Sequence, residues 1–181
     1  MILLLTANAT SGGWRKSQRP RSLYIVRNPK GIGSEKALQQ NDFAELYTRI
    51  PISNGFCIQS DLISSKADGC FEIDFFQGHG HTADYRLACN AGNWPSFELQ
   101  RFGRSGARCL ANLDQTIKLE DGYHFLILFS RDESSGMSVS LDGRTLVQTN
   151  DKSFRNPFNE IALINDGGDL AVREISVMGA Q

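Results

Sequence analysis

Met137-Ser-Val-Ser-Leu-Asp-Gly-Arg-Thr-Leu-Val-Gln148 is the stretch on which the fold turns. Met137, Val139 and Leu141 alternate with Ser138 and Ser140, a period of two that belongs to a half-buried strand. Asp142-Gly143 follows, and then a second β-forming run, Thr145 to Gln148. An Asp-Gly pair between two such runs is the strongest short-range hairpin signal, because a tight hairpin turn needs positive φ at both central residues. The stretch therefore predicts two antiparallel strands with one face in a core.

The same alternation recurs upstream. Cys70-Phe-Glu-Ile-Asp-Phe-Phe76 places Phe71, Ile73 and Phe75 on one face and Glu72 and Asp74 on the other. Asp84-Tyr-Arg-Leu-Ala-Cys-Asn90 turns Tyr85, Leu87 and Cys89 inward and Asp84, Arg86 and Asn90 outward. Ser96-Phe-Glu-Leu-Gln100 buries Phe97 and Leu99 and exposes Glu98 and Gln100. Tyr123 to Phe129 is an almost unbroken apolar run, as in a central core strand. Further strands are expected at 22–27, 56–62, 108–113, 161–164 and 170–177. One short helix is expected from Ser34 to Tyr47, with Ser34 as its cap and Leu38, Phe43 and Leu46 on its face. About ten short strands with turn chemistry between them predict an all-β antiparallel sandwich. Gly31-Ile-Gly33 lacks the third glycine of a phosphate loop, so a doubly wound nucleotide fold is disfavoured.

Composition agrees with a soluble domain: 181 residues, 40% apolar and 22% charged, with a net charge of −1. Residues 1–34 hold Arg15, Lys16, Arg19, Arg21, Arg27 and Lys30 with no acid, and this basic arm reads as a solvated extension. No nucleic-acid partner is expected, and Met1-Ile-Leu-Leu-Leu5 is far too short for a membrane span. Cys57, Cys70, Cys89 and Cys109 show no C-x-x-C spacing and read as reduced core thiols, which favours an intracellular setting. Asn8-Ala-Thr10 is a glycosylation sequon only in a secreted chain. His79 and His81, with Asp84 as a third ligand, and the Asp166/Asp169 turn were the metal arrangements open to this sequence. Neither spacing fixes a site, so no metal and no cofactor are expected.

Longer motifs resemble the galectin carbohydrate-recognition domain. Gly122-Tyr-His-Phe-Leu-Ile-Leu128 is similar to its glycine-then-apolar strand, and Met137-Ser-Val-Ser-Leu-Asp-Gly143 to its x-V-x-V-N-G strand and turn. Phe158-Asn-Glu-Ile-Ala-Leu-Ile-Asn165 with Gly168-Asp-Leu-Ala-Val-Arg-Glu-Ile175 is similar to its closing pair. Ile50-Pro51 with Gly55 and Ile58, and Phe71-Glu-Ile-Asp-Phe75 with Gly78, resemble earlier framework motifs. The likeness runs from about Phe43 to Val177. It divides the chain into an N-terminal extension, 1–42, with one or two strands, and a sandwich domain, 43–181. It implies a jelly-roll of the concanavalin/galectin kind acting as a non-catalytic lectin, whose partner is a glycan or glycoprotein, with homo-oligomers as a further mode. It also implies a cytoplasmic origin with unconventional release.

The sugar-contact motif departs from that pattern. Of the histidine, asparagine and arginine that meet the sugar in the family's D-I-A-L-H-F-N-P-R strand, this chain retains only the asparagine, Asn90, with Ala88 in place of the histidine and Gly92 in place of the arginine. The next strand offers Glu98 and Gln100, and the later E-x-R position offers Ala107 or Arg108. The expected ligand-binding set is Arg86, Asn90, Trp94, Glu98, Gln100 and Arg108, with Trp94 as the stacking platform and a specificity other than ordinary galactoside. Two further readings stand beside it. One is a galectin-fold protein that has lost sugar binding and works through protein contact. The other is an inactive relic of a retaining β-glucanase, because Glu72-Ile-Asp74-Phe-Phe-Gln77 resembles that family's E-I-D-x-x-E strand. Gln77 cannot move the proton that the two-step mechanism requires, so no catalysis is expected.

Overall fold

A computed structural model of the chain describes residues 2–6, 15–16, 25–27, 43–48, 51–66, 70–77, 83–90, 96–117, 124–166 and 169–180. Its strands are β1 Ile2–Thr6, β2 Arg15–Lys16, β3 Ile25–Arg27, β4 Phe43–Thr48, β5 Ile52–Lys66, β6 Cys70–Phe76 and β7 Asp84–Asn90. They continue as β8 Phe97–Gly103, β9 Gly106–Leu113, β10 His124–Arg131, β11 Gly136–Leu141, β12 Arg144–Asn150, β13 Glu160–Asp166 and β14 Asp169–Ala180. No helix occurs among the described residues, and so none is long and apolar enough to cross a membrane.

The strands form two antiparallel sheets. Sheet A has the order β1-β14-β5-β10-β11-β12, with β3 also paired to β14. Sheet B has the order β2-β4-β13-β6-β7-β8-β9. The all-β antiparallel sandwich expected from the alternation is the fold observed. Strands from the first 42 residues pair with both sheets: β1 and β3 lie along β14, and β2 lies on β4.

One part of the sequence reading is corrected. Residues 43–47, expected to be the end of a helix, are strand β4, paired residue for residue with β13 from Thr48↔Ile161 to Phe43↔Asp166. Local helix preference there was weak, and a fully buried neighbour at Ile161, Ala162 and Leu163 supplies a ladder that outweighs it. Residues 34–42 lie outside the described residues, as do Gly31-Ile-Gly33, His79, His81, Trp14 and Trp94.

The core is aromatic. Phe56 of sheet A stacks on Phe75 of sheet B with centroids 4.3 Å apart, and meets Phe129 and Phe158 edge-on at 5.5 and 5.6 Å. Phe71, Ile73, Tyr85, Leu87, Phe97, Leu99, Phe125, Ile127, Val139, Ile161, Leu163 and Val177 complete it. Each such side chain contributes about 1.5–3 kcal/mol on leaving water. The 137–148 hairpin turns at Asp142 (φ 50°) and Gly143 (φ 81°), as its sequence requires. Asp142 also docks the turn on β10, accepting from the Leu126 N–H at 2.8 Å.

All four cysteines are free thiols, but only Cys89 is fully buried. Cys57 and Cys70 are half-buried and Cys109 is exposed, so the expectation of core thiols holds for Cys89 alone. Alternation fixes which face a cysteine takes. It does not say whether that face is covered.

One end of the sandwich is closed by a polar knot that no local pattern announced. Buried Arg131 donates to the Asn54 carbonyl (2.7 Å), the Ser135 hydroxyl (2.9 Å) and the carbonyls of Asp151 (3.2 Å) and Phe154 (3.1 Å). The Asp151 carboxylate accepts from the Tyr85 hydroxyl and from Arg101, both at 2.8 Å.

Gly179 shows where backbone geometry restricts the sequence. It has φ +94°, and a Cβ there would sit 2.6 Å from the Gly55 carbonyl oxygen, which is backbone and cannot step aside. Gly103, by contrast, faces open space. Gly179→Ala is expected to cost about 1–3 kcal/mol in urea unfolding, and Gly103→Ala less than about 0.5 kcal/mol. Equal effects would contradict this account of β14.

Candidate functional site

Paired residues in a sheet share a face, so the register of sheet B decides which side chains meet. On the face turned away from sheet A, Asp74 pairs with Arg86 and Arg86 with Gln100, while Glu72 pairs with Ala88 and Ala88 with Glu98. Asn90 lies opposite Cys70, and Phe102 lies opposite Asp84. Of the six expected ligand-binding residues, Arg86, Asn90, Glu98 and Gln100 therefore share one surface.

Arg108 does not. A register shift between Leu99 and Gln100 sets Leu99 opposite Ala111 but Gln100 opposite Cys109, and leaves Arg108 opposite Arg101. This bulge moves Arg108 to the face of Arg101, at the closed end of the sandwich, and brings Cys109 onto the face of Gln100. A one-residue insertion in a pairing leaves no trace in alternation. Trp94 lies outside the described residues.

Arg86 organises the surface. Its Nε lies 3.1 and 3.2 Å from the two Asp74 oxygens, and its Nη2 lies 2.9 Å from Asp74 Oδ2. Nη1 reaches Glu72 Oε2 at 3.3 Å. The guanidinium also lies over the Phe102 ring, 4.7 Å from its centroid. A planar fork held by a bidentate carboxylate and stacked on a ring is far more rigid than a solvated arginine.

The sequence reading placed Asp74 on a wet face, yet Asp74 is fully buried. Phe76, Ala162 and Ile164 form a buried apolar cluster on this same face, with Ala162 directly across the ladder from Asp74. Burial pushes the Asp74 carboxyl up to about 7 against the pull of Arg86, and Glu72 and Asp84 add to the rise. For Arg86, burial works against the charge, but Asp74, Glu72 and Asp84 outweigh it and hold the guanidinium protonated. At the other side of the surface, the slight desolvation of the largely exposed Cys109 and a hydrogen bond to Glu98 push its thiol up.

Phe102 is the residue of this surface that sequence reasoning missed. The expected strand stopped at Gln100, whereas β8 runs to Gly103 and the series Glu98, Gln100, Phe102 continues on one face. Extending the alternation by two residues would have found it. The half-buried Phe102 ring, the amides of Asn90 and Gln100, the carboxylates of Glu72 and Glu98 and the fixed Arg86 fork make a surface of hydrogen-bonding groups around one aromatic. Gln77, past the end of β6, donates its amide to the Asn156 carbonyl. Among the described residues, no three His, Cys, Asp or Glu side chains are grouped as metal ligands.

The fold is shared with known structures at low sequence identity. The carbohydrate-recognition domain of Emp47p matches at 14% identity and TM-score 0.69, over 98% of this chain and 95% of that one. A structure reported with endo-acting O-glycanases of the human gut microbiota that initiate mucin breakdown matches at 12% and 0.68, over 99% of both. The Caenorhabditis elegans galectin LEC-6 matches at 12% and 0.56, over 85% of this chain and 95% of that one. No family model and no curated protein matches the sequence. The galectin-like sandwich is thus established as the fold.

The raised Asp74 pKa fixes a pH dependence. The folded protein holds this proton more tightly than the unfolded chain does between 3.8 and about 7, so stability falls as pH rises through that window and levels above it. A carboxyl-carbon NMR titration should place the Asp74 midpoint near 7, and Asp74→Asn should remove that part of the slope. A midpoint near 4, the ordinary aspartate value, would contradict the burial described.

Proposed function

We propose that this protein is a non-catalytic carbohydrate-binding module, with a specificity other than ordinary galactoside. The observation that carries the reading is the convergence of Asn90, Glu98 and Gln100 with Arg86 on one face of β7 and β8, beside the Phe102 ring. Sugar recognition needs convergent donors and acceptors and an apolar patch for the ring's C–H face; the amides, carboxylates and Arg86 supply the first, and the part of the half-buried Phe102 ring that Arg86 leaves uncovered supplies the second. Structural neighbours that include a carbohydrate-recognition domain and a galectin support it.

Two features favour binding over hydrolysis despite the glycanase-associated neighbour. A retaining pair needs a nucleophile and a proton donor about 5–5.5 Å apart. Glu72, at the nucleophile position, is instead paired with Arg86, as is Asp74 beside it, and the position that would supply the acid is the amide of Gln77, tied to Asn156.

A broad glycan array, run with the parent chain, Asn90→Ala and Gln100→Ala, tests the proposal. The parent is expected to bind a defined subset. Each variant, checked for folding by circular dichroism, should lose about five- to thirtyfold in affinity, the cost of one or two hydrogen bonds. A folded parent that is silent across the array would sink the lectin reading, as would binding that neither substitution weakens.

A further inference from the structure

The closed end of the sandwich carries a second feature, separate from the β7–β8 surface. A cleft of about 490 Å³ is lined by Asn54, Arg131, Glu133, Ser134, Ser135, Lys152, Phe154 and Arg155. Three chain segments build it: the start of β5, the β10–β11 turn and the stretch after β12. Arg131 fastens all three through its bonds to Asn54, Ser135, Asp151 and Phe154. Backbone bonds from Ser135 to Asp132 (3.0 Å) and from Asp151 to Ser135 (3.1 Å), and the Asn54 amide on the Arg155 carbonyl, brace the walls. The cleft is thus formed before any ligand arrives, which lowers the ordering cost of binding.

Its charge is unbalanced. Arg131 is 3% exposed, and every partner it has is neutral: carbonyls, the Asn54 amide oxygen, a hydroxyl and the Tyr85 ring, whose centroid lies 5.8 Å from the guanidinium. Its Nε is buried with no hydrogen-bond partner. The carboxylate of Asp151, whose carbonyl Arg131 holds, is taken by Arg101 and Tyr85. Among the described residues, no carboxylate ion-pairs with Arg131, Lys152 or Arg155. Glu133 is the lone acid against these three cations. A buried, uncompensated guanidinium is costly, and an anion in the adjoining cleft relieves that cost.

The remaining walls say what carries the anion. Ser134 and Ser135 bring hydroxyls, and the Phe154 ring, packed on Tyr85 at 4.8 Å, forms an apolar side. The volume falls in the range of small-molecule sites of about 300–1,000 Å³ and far exceeds a bare ion. We infer that this cleft binds the oxyanion of an acidic saccharide, a uronate or a sugar sulfate, with Lys152 and Arg155 on the anionic group and Phe154 against the ring. The inference does not rest on the β7–β8 surface and involves none of its residues.

Calorimetric titration at fixed low ionic strength tests it, with glucuronate, glucose 6-sulfate, glucose and inorganic sulfate as probes. At least one acidic sugar should bind saturably, at least tenfold more tightly than glucose and than inorganic sulfate. The Lys152→Glu/Arg155→Glu variant alters two exposed side chains and should fold normally, and it should lose that binding at least tenfold. Acidic sugars that bind no better than glucose overturn the anion site. Sulfate alone binding as tightly as the sugars overturns its saccharide part, and affinity unchanged in the folded double variant overturns the location. Glycans lost on Asn90→Ala or Gln100→Ala report on the other surface, so the two readings fail separately.

Discussion

Everything in this molecule depends on the contact between Phe56 and Phe75, one ring from each sheet, stacked 4.3 Å apart and boxed in by Phe129 and Phe158. Because side chains alternate strictly along a strand, burying Phe75 and Tyr85 between the sheets commits Asp74, Phe76, Asp84 and Arg86 to the opposite face. The chemistry of that outer face is therefore a consequence of core packing. A slip of one residue in β6 or β7 would drive Asp74 and Arg86 into an aromatic core, which no plausible compensation could repay.

That outer face has its own constraint. A carboxylate against Ala162 and beside Phe76 sits in a poor medium for charge, and it persists because Arg86 meets it with two nitrogens. A buried ion pair of this kind adds little net stability, since desolvation consumes most of the attraction. What it adds is position. Arg86 cannot swing, its plane is set by Phe102, and the neighbouring amides of Asn90 and Gln100 stand at fixed distances from it along the ladder. A lysine would supply the charge without the plane.

The parity of β6, β7, β8, β10 and β11 was legible in the sequence because each is a clean alternating or apolar run whose meaning does not depend on partners. The Asp142-Gly143 turn was legible for the same local reason. Most of what escaped depends on distant residues. The β4 ladder needs β13, more than a hundred positions away, and the burial of Asp74 needs Ala162 beside it. Arg108 changed face because of a bulge, and Phe102 was lost by ending a strand two residues early. The Arg131–Asp151 knot joins residues up to 77 positions apart, and single-sequence patterns carry no sign of such pairings.

The central claim is that a sugar ring is held on the β7–β8 face by amides standing beside the fixed Arg86. Side-chain amide NMR of Asn90 and Gln100, followed during titration with the strongest glycan found, tests it most directly. The account predicts that both amide signals move and saturate together, on the curve that describes binding. Saturation with both amides unmoved, while signals from β10 to β12 shift instead, would place the ligand elsewhere and contradict the account.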